Sequence, residues 1–207
     1  MFQIREYSLK DVSLIGDFSS DYNYLIWIPN ETAVVIGRGN DPEKSLFLEN
    51  VIKDGLPVYK RPTGGEAVII SPNTLVISIA DNRERQMKSQ EYFMKYNSEI
   101  INALESLGVK GLSRAGISDI ALNGKKIMGC SIYRNKKQVF YHAVLNINEE
   151  PEILLKYLRY PKKTPDYRSG RNHDEFVTSL RREGYDFSAD ELKRVINLGF
   201  ASSFERI

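Results

Sequence analysis

Between two apolar runs, 119–122 and 125–133, the chain carries the dipeptide Asn123-Gly124. A two-residue type I′ turn needs positive φ at both positions, which Asn and Gly tolerate, and its twist matches that of paired strands. The segment therefore predicts an antiparallel hairpin. A polar bend, Asn135-Lys136-Lys137, leads into a third apolar run over 139–147, which extends the hairpin to a three-stranded meander. A doubly wound parallel sheet needs regular alternation of strand and helix and is disfavoured.

The rest of the chain surrounds that meander with shorter signals. Runs 24–28 and 33–36, separated by Pro29 and Asn30, predict two neighbouring buried strands. Asp41 as a cap, Pro42 at the first helical position and Leu46, Phe47 and Val51 on one face predict a helix ended by Gly55. Runs 66–70 and 75–80 flank Ser71-Pro72-Asn73 and predict a second hairpin. Tyr92, Phe93, Tyr96, Ile100, Leu104 and Leu107 recur at spacings of three and four, predicting a buried amphipathic helix over 89–107 closed by Gly108. Further helices are expected over 151–159 and 174–182, with a polar coil over 161–172 between them, and after the Ser188/Glu191 capping pattern. The sum is an α+β fold: a mixed, largely antiparallel sheet with packed helices.

Composition narrows the function classes. With 29 basic and 27 acidic side chains in 207 residues, a net charge of +2 gives neither disorder nor the dense basic surface of a nucleic-acid binder. One domain spanning residues 1–207 is the expectation, without repeats or a long linker. No apolar stretch approaches the ~20 residues that cross a bilayer, and no secretory signal opens the sequence. The single cysteine, Cys130, excludes an internal disulfide, and no Cys/His spacing suits a structural metal, so a reducing cytoplasmic setting is expected. The two histidines, His142 and His173, leave few candidates for histidine catalysis.

Two stretches could carry chemistry. In 60–68, Lys-Arg-Pro-Thr-Gly-Gly-Glu-Ala-Val, the paired glycines Gly64 and Gly65 permit close backbone approach to a ligand, and Arg61 and Thr63 could meet an anion; a solvated turn is the bland alternative. In 119–129, Asp119 opens one strand and Lys126 stands early in the next, and the hairpin is expected to bring them together so that the lysine neutralises a carboxylate and a phosphate. A solvated hairpin lysine is the alternative there. A third candidate is 165–173, where Arg168, Arg171 and His173 precede a helix start and could receive a phosphate or an acidic acceptor domain. Its alternative is a tether held by Tyr167 with solvated arginines. His142, in an apolar strand, reads as a hydrogen-bonded core residue before it reads as a base.

Together these stretches resemble the lipoate-protein ligase family. The family element Gly-Arg-x-Gln/Asn-x-Pro is matched by Gly37-Arg38-Gly39-Asn40-Asp41-Pro42, and Arg-Arg-x-Ser/Thr-Gly-Gly-Gly-Ala-Val by 60–68. The Asn-Asp-Ile step and Gly-x-Lys-Ile/Val-x-Gly are matched by Ser118-Asp119-Ile120 and by Gly124 to Gly129. The histidine strand ending in Leu-x-Asn is matched from His142 to Asn148. Order and spacing agree from about Ala33 to Leu158. The resemblance implies the fold shared with biotin ligases and octanoyltransferases, and a two-step reaction. Lipoate or octanoate would attack the ATP α-phosphorus, with Mg2+ expected, and the acyl group would pass to a lysine of a lipoyl acceptor domain. Lys126 takes the family's lysine position and would bridge acyl carbonyl and phosphate. Arg61, Thr63, Gly64 and Gly65 would line the pocket, Asp119 would stand near the adenylate or its magnesium, and Gly129, His142, Arg168 and Arg171 complete the candidate binding set.

The departures are as informative. Residues 8–24 lack the family's Asn-x-Ala-x-Asp/Glu-Glu pattern, Glu66 replaces the third glycine, and Ile70-Ser71 stands where many ligases have His-Asp. If Glu66 points inward, like-charge repulsion opposes ATP. About sixty residues follow the meander, so no accessory C-terminal domain is expected, and a separate subunit or a half-reaction is. Two other readings stay open: an octanoyl or lipoyl transferase working without ATP, and a non-catalytic binding subunit of the same fold. Cys130 does not match the position of the transferases' cysteine and reads as a small core residue.

Overall fold

The computed structural model describes residues 2–83, 87–161 and 164–204. In chain order the strands are β1 (Ile4–Glu6), β2 (Tyr22–Trp27), β3 (Ala33–Ile36), β4 (Val58–Lys60), β5 (Val68–Ile70), β6 (Thr74–Asp81), β7 (Leu112–Ala115), β8 (Asp119–Leu122), β9 (Lys125–Arg134) and β10 (Val139–Asn146). The α-helices are α1 (Pro42–Ser45), α2 (Leu48–Lys53), α3 (Ser89–Ser106), α4 (Pro151–Tyr157), α5 (His173–Phe176) and α6 (Ala189–Phe204).

Two sheets result. The larger is fully antiparallel in the order β2-β6-β10-β9-β8-β7, and the smaller runs β1-β4-β3-β5 with parallel and antiparallel pairs. Asn123 (φ 51°) and Gly124 (φ 78°) both adopt the left-handed conformation that the β8–β9 turn requires. Alternation along each strand then sorts side chains between faces. Ile77 and Ile79 of β6 and Tyr141, Ala143 and Leu145 of β10 pack against Tyr96, Ile100 and Leu104 of α3 and Ile196 and Phe200 of α6. The opposite face puts Val76 and Val144 against Val35, Tyr59 and Ile70 of the small sheet, which α2 and α4 cover on its far side. Glu91 accepts from the Lys88 N–H at the start of α3, and Ser188 and Glu191 form a reciprocal capping box before α6. Among the described residues no helix is long and apolar enough to cross a membrane.

Several expectations need correction. The runs 24–28 and 33–36 do not form neighbouring strands: β2 joins the large sheet and β3 the small one. Likewise β5 and β6 are not a hairpin, because the Ser71–Thr74 turn carries the chain from one sheet to the other. Two buried apolar runs joined by a turn look the same whether they pair or diverge, and burial of both faces at the sheet–sheet contact decided for divergence. The helix after Asp41 is broken at Leu46, which bridges to Leu158. The helix expected over 174–182 stops at Phe176, because Val177 turns extended and pairs with Lys126, whose carbonyl accepts from Thr178 N at 2.9 Å. Strands β1, β4 and β7 are too short to stand out in the sequence.

Candidate active site

A cavity of about 1540 Å³ lies between the pocket face of the large sheet and the small sheet's loops. That exceeds the ~300–1,000 Å³ usual for one small ligand. Lys126 and Asp119 stand in its wall, with Lys126 Nζ 2.9 Å from Asp119 Oδ1. A β-bulge decides which residue lies beside the pair. Ile120 pairs with Met128 and Ala121 with Lys126, so one extra residue, Ile127, is inserted in β9. Ile127 and Met128 both enter the core, while Lys126 keeps the cavity side together with Gly129 and Ser131. The lysine lies over Gly129: a Cβ there would sit 2.9 Å from both Lys126 Cε and Nζ.

The glycine loop forms the facing wall. Arg61 is 5% exposed, and its guanidinium donates to the carbonyls of Val35, Gly64 and Glu66. Burial brings it down to about 10, against the pull of Tyr7 and Glu66, so it remains a cation at neutral pH. Its hydrogen bonds shape the loop; Thr63 is also fully buried and bonds to Ser131 Oγ at 2.9 Å. Gly65 takes φ +89°, and its carbonyl presses on Gly37, where a Cβ would come within 2.1 Å of it. Gly64, Gly65 and Glu66 are exposed, and Gly65 and Glu66 belong to the cavity lining.

Residues 164–178 cross the open side as a strap. Tyr167 OH donates to Asp119 Oδ2 at 2.9 Å, and its ring packs on Phe176. Arg168 is 3% exposed: Nε donates to the Arg171 carbonyl, Nη2 to His173 Nδ1, and the guanidinium lies over the Tyr160 and Phe176 rings. Because arginine only donates, His173 Nδ1 is the acceptor and the imidazole is neutral. Burial, Arg168 and Lys126 lower its pKa to about 4. Arg168 lines the cavity, whereas Arg171 ties the strap through the carbonyls of Gly124, Tyr167 and Arg168. The strap does fold over the meander, and its arginines are bound, not solvated.

His142 belongs to a buried network that no sequence spacing announces. Tyr7 OH donates to Asp11 Oδ1 and Ser78 Oγ to Asp11 Oδ2, and His142 Nε2 lies 3.2 Å from Tyr7 OH and 3.4 Å from Asp11 Oδ2. The Tyr7 proton is already given to Asp11, so His142 Nε2 carries the imidazole proton. Burial lowers His142 to about 4 despite Asp11. Cys130 directs its thiol at Asn97 Oδ1 and Tyr141 OH on the core side, and burial pushes it up to about 12. A thiol so placed stays protonated at neutral pH and is a poor nucleophile. Among the described residues, no three His, Cys, Asp or Glu side chains gather as a cation cage.

Of the sequence candidates, Lys126, Asp119, Gly129, Arg61, Gly65, His142 and Arg168 share the cavity wall. Thr63 stands behind it, and Arg171 holds the strap. Asp11 and Tyr7 were missed, since the contacts that tie them to the site, Asp11 with Ser78 and Tyr7 with His142, span 67 and 135 residues. Gly37 was visible only as a motif position.

Residues 2–201 match the model of the lipoyl protein ligase A/B catalytic domain. The chain belongs to that family. As such a catalytic domain, it is 26% identical over 159 residues to the lipoate-protein ligase LplJ of Bacillus subtilis, covering 77% of this chain and 45% of that protein. It is 25% identical over 183 residues to lipoate-protein ligase A subunit 1 of Thermoplasma acidophilum, covering 84% of this chain and 69% of that protein. The chain thus spans less than half of the B. subtilis ligase. In fold it is similar to a T. acidophilum protein solved with bound lipoic acid and to a lipoate-protein ligase A bound with ATP, each with TM-score 0.78, 22% identity and coverage of 98% of this chain and 84% of that one. A bi-partite T. acidophilum ligase, described together with its E2 lipoyl domain, gives TM-score 0.78 at 22% identity, covering 98% of this chain and 82% of that one. The α+β fold with its mixed and antiparallel sheets is therefore the lipoate ligase fold.

Proposed function

We propose that this catalytic domain activates lipoate or octanoate with ATP to an acyl-adenylate and passes the acyl group to a lysine of a lipoyl acceptor domain. The observation that carries the reading is Lys126, held over Gly129 by Asp119 Oδ1 in the wall of a cavity large enough for two ligands. An ammonium has three donors, and Asp119 occupies one. The other two are available to oxygens of an acyl carboxylate and an α-phosphate. In the first step the carboxylate oxygen attacks the α-phosphorus and pyrophosphate leaves. In the second the acceptor amine attacks the acyl carbon, loses its proton and expels AMP. Negative charge develops beside Lys126 in both, and a fixed cation in a partly water-excluded cavity stabilises it.

The relatives solved with lipoic acid and with ATP support both ligands. Ile69 and Val144 in the lining suit an acyl chain, and Arg168 is the strap's candidate contact for phosphate. Arg61, Thr63, Gly64, Gly65 and Arg171 act on ligands through the shape of loop and strap. Magnesium would neutralise phosphate charge; Asp119 has both oxygens engaged, so the metal would be held mainly by phosphate oxygens and water. The bi-partite relative supports a second subunit and a lipoyl-domain partner. A single catalytic domain in a reducing, cytoplasmic setting is part of the same proposal.

The test incubates purified protein with ATP, magnesium and lipoate or octanoate, with and without cell extract, and measures acyl-AMP by mass spectrometry. Acyl-AMP is expected from the wild type and absent from Lys126→Ala. No acyl-AMP under either condition refutes the proposal. A second reading, a non-catalytic binding subunit, is favoured by Glu66, an exposed acidic residue of the glycine loop that belongs to the cavity lining. Negligible calorimetric binding of lipoyl-AMP would select that reading.

A further inference from the structure

The two oxygens of Asp119 are divided between two elements. Oδ1 meets Lys126 Nζ and Oδ2 accepts from Tyr167 OH, each at 2.9 Å. Lys126 sits on β9, whereas Tyr167 comes from the strap, 48 residues from Asp119 in sequence. The strap is seated for this contact. Gly116 (φ +54°) lies under it, and a Cβ there would come within 3.2 Å of Pro165 Cβ and 3.3 Å of Tyr167 Cε1. Arg171 Nη1 bonds to the Gly124 carbonyl in the hairpin turn, and Thr178 N bonds to the Lys126 carbonyl. The strap therefore grips the β8–β9 hairpin at its turn, at the Lys126 backbone and at the Asp119 carboxylate.

We infer that Tyr167 is a positioning residue for the lysine chemistry: by occupying Asp119 Oδ2 it leaves Lys126 a single anchoring oxygen and ties closure of the strap to the placement of the ammonium. The inference rests on the acyl-adenylate reading and adds to it a residue that never touches substrate. A carboxylate free at both oxygens can rotate and take two ammonium protons. Fixed by the tyrosine, it takes one, and two N–H donors stay directed into the cavity. When the ammonium turns toward an acyl-phosphate, Asp119 keeps one charge-assisted hydrogen bond instead of being left bare in a wall where it is 7% exposed. Burial and the Asp119 charge push the phenol far above its usual range, so it remains a donor at every working pH.

Tyr167→Phe removes the hydroxyl and keeps the ring on Phe176. Steady-state acyl-adenylate formation and hydrogen exchange of the ligand-free protein are measured for wild type, Tyr167→Phe, Asp119→Asn and the double variant. Tyr167→Phe is expected to lower kcat roughly tenfold, the scale of one hydrogen bond to a charged group, with KM for lipoate and ATP changed less than about twofold. Strap amides near 168–176 should exchange roughly tenfold faster. In the Asp119→Asn background the same substitution should add little to either effect. An unchanged kcat, or an equal loss in both backgrounds, overturns the inference, the latter by showing that the tyrosine acts through packing alone. Should the wild type form no acyl-AMP even with extract, the functional reading fails on its own. Unchanged strap exchange in Tyr167→Phe would then reject the contact's role as well.

Discussion

Gly129→Ala separates the placement of Lys126 from the integrity of the fold. A Cβ built on Gly129 lies 2.9 Å from Lys126 Cε and Nζ and 3.7 Å from Asp119 Oδ1. Non-bonded carbon contacts are comfortable at ~3.5–4.0 Å, so the lysine must retreat by roughly 0.6–1 Å while Asp119 need not move. The atoms displaced are the far end of a flexible side chain, and the φ of Gly129 is not in the left-handed region, so alanine brings no backbone strain. Lys126 is the flexible, 31% exposed partner and Asp119 keeps its bond from Tyr167, so loosening the pair costs about 1–2 kcal/mol. Misplacing a reacting group by ~1 Å costs about 10²-fold in rate. Gly129→Ala should therefore lose about a hundredfold in acyl-AMP formation, measured in a single turnover, with Tm moved by only a few degrees. A rate within threefold of wild type would refute the argument that the lysine works from its seat over Gly129. A comparable loss of rate accompanied by collapse of Tm would attribute the effect to folding.

Gly37→Ala is the contrasting case: its Cβ would meet the Gly65 backbone oxygen at 2.1 Å, so the loop itself must shift, and thermal unfolding should show a loss of about 1–3 kcal/mol. Cys130→Ala should retain acyl-AMP formation, and because burial holds the thiol near 12, iodoacetamide at pH 8 should label the native protein far more slowly than the unfolded chain. Acid should destabilise the protein through His142 and His173, which are neutral when folded with pKa values of about 4 against 6.5 when unfolded. Between those values the unfolded state binds more protons, so stability is full above about 6.5 and falls toward pH 4 by up to ~1.4 kcal/mol per unit for each histidine. A His142→Gln variant should show a shallower fall in pH-dependent Tm, and an unchanged slope would reject the assignment.

Much of the site was legible because its parts are local. The Asn123-Gly124 turn determines which residues of β8 and β9 approach, and it brought Lys126 to Asp119. Arg61 was recognised as important, but its task was not readable: an arginine beside glycines has the same sequence whether it meets a phosphate or the carbonyls of its own loop. Arg168 and Arg171 differ in the same way, one opening on the cavity and one tying down the strap.

Periodicity, capping residues and turn chemistry act within a few residues of themselves. The sequence alone therefore determined the meander, the long helix α3, the capped start of α6 and the candidates Lys126 and Asp119. The assignment of β5 and β6 to different sheets, the unwinding of 177–182 onto Lys126, and the network of Tyr7, Asp11 and His142 were decided only in the tertiary structure. These depend on burying both sheet faces and on satisfying polar groups removed from water, conditions that exist only once distant segments have been brought together.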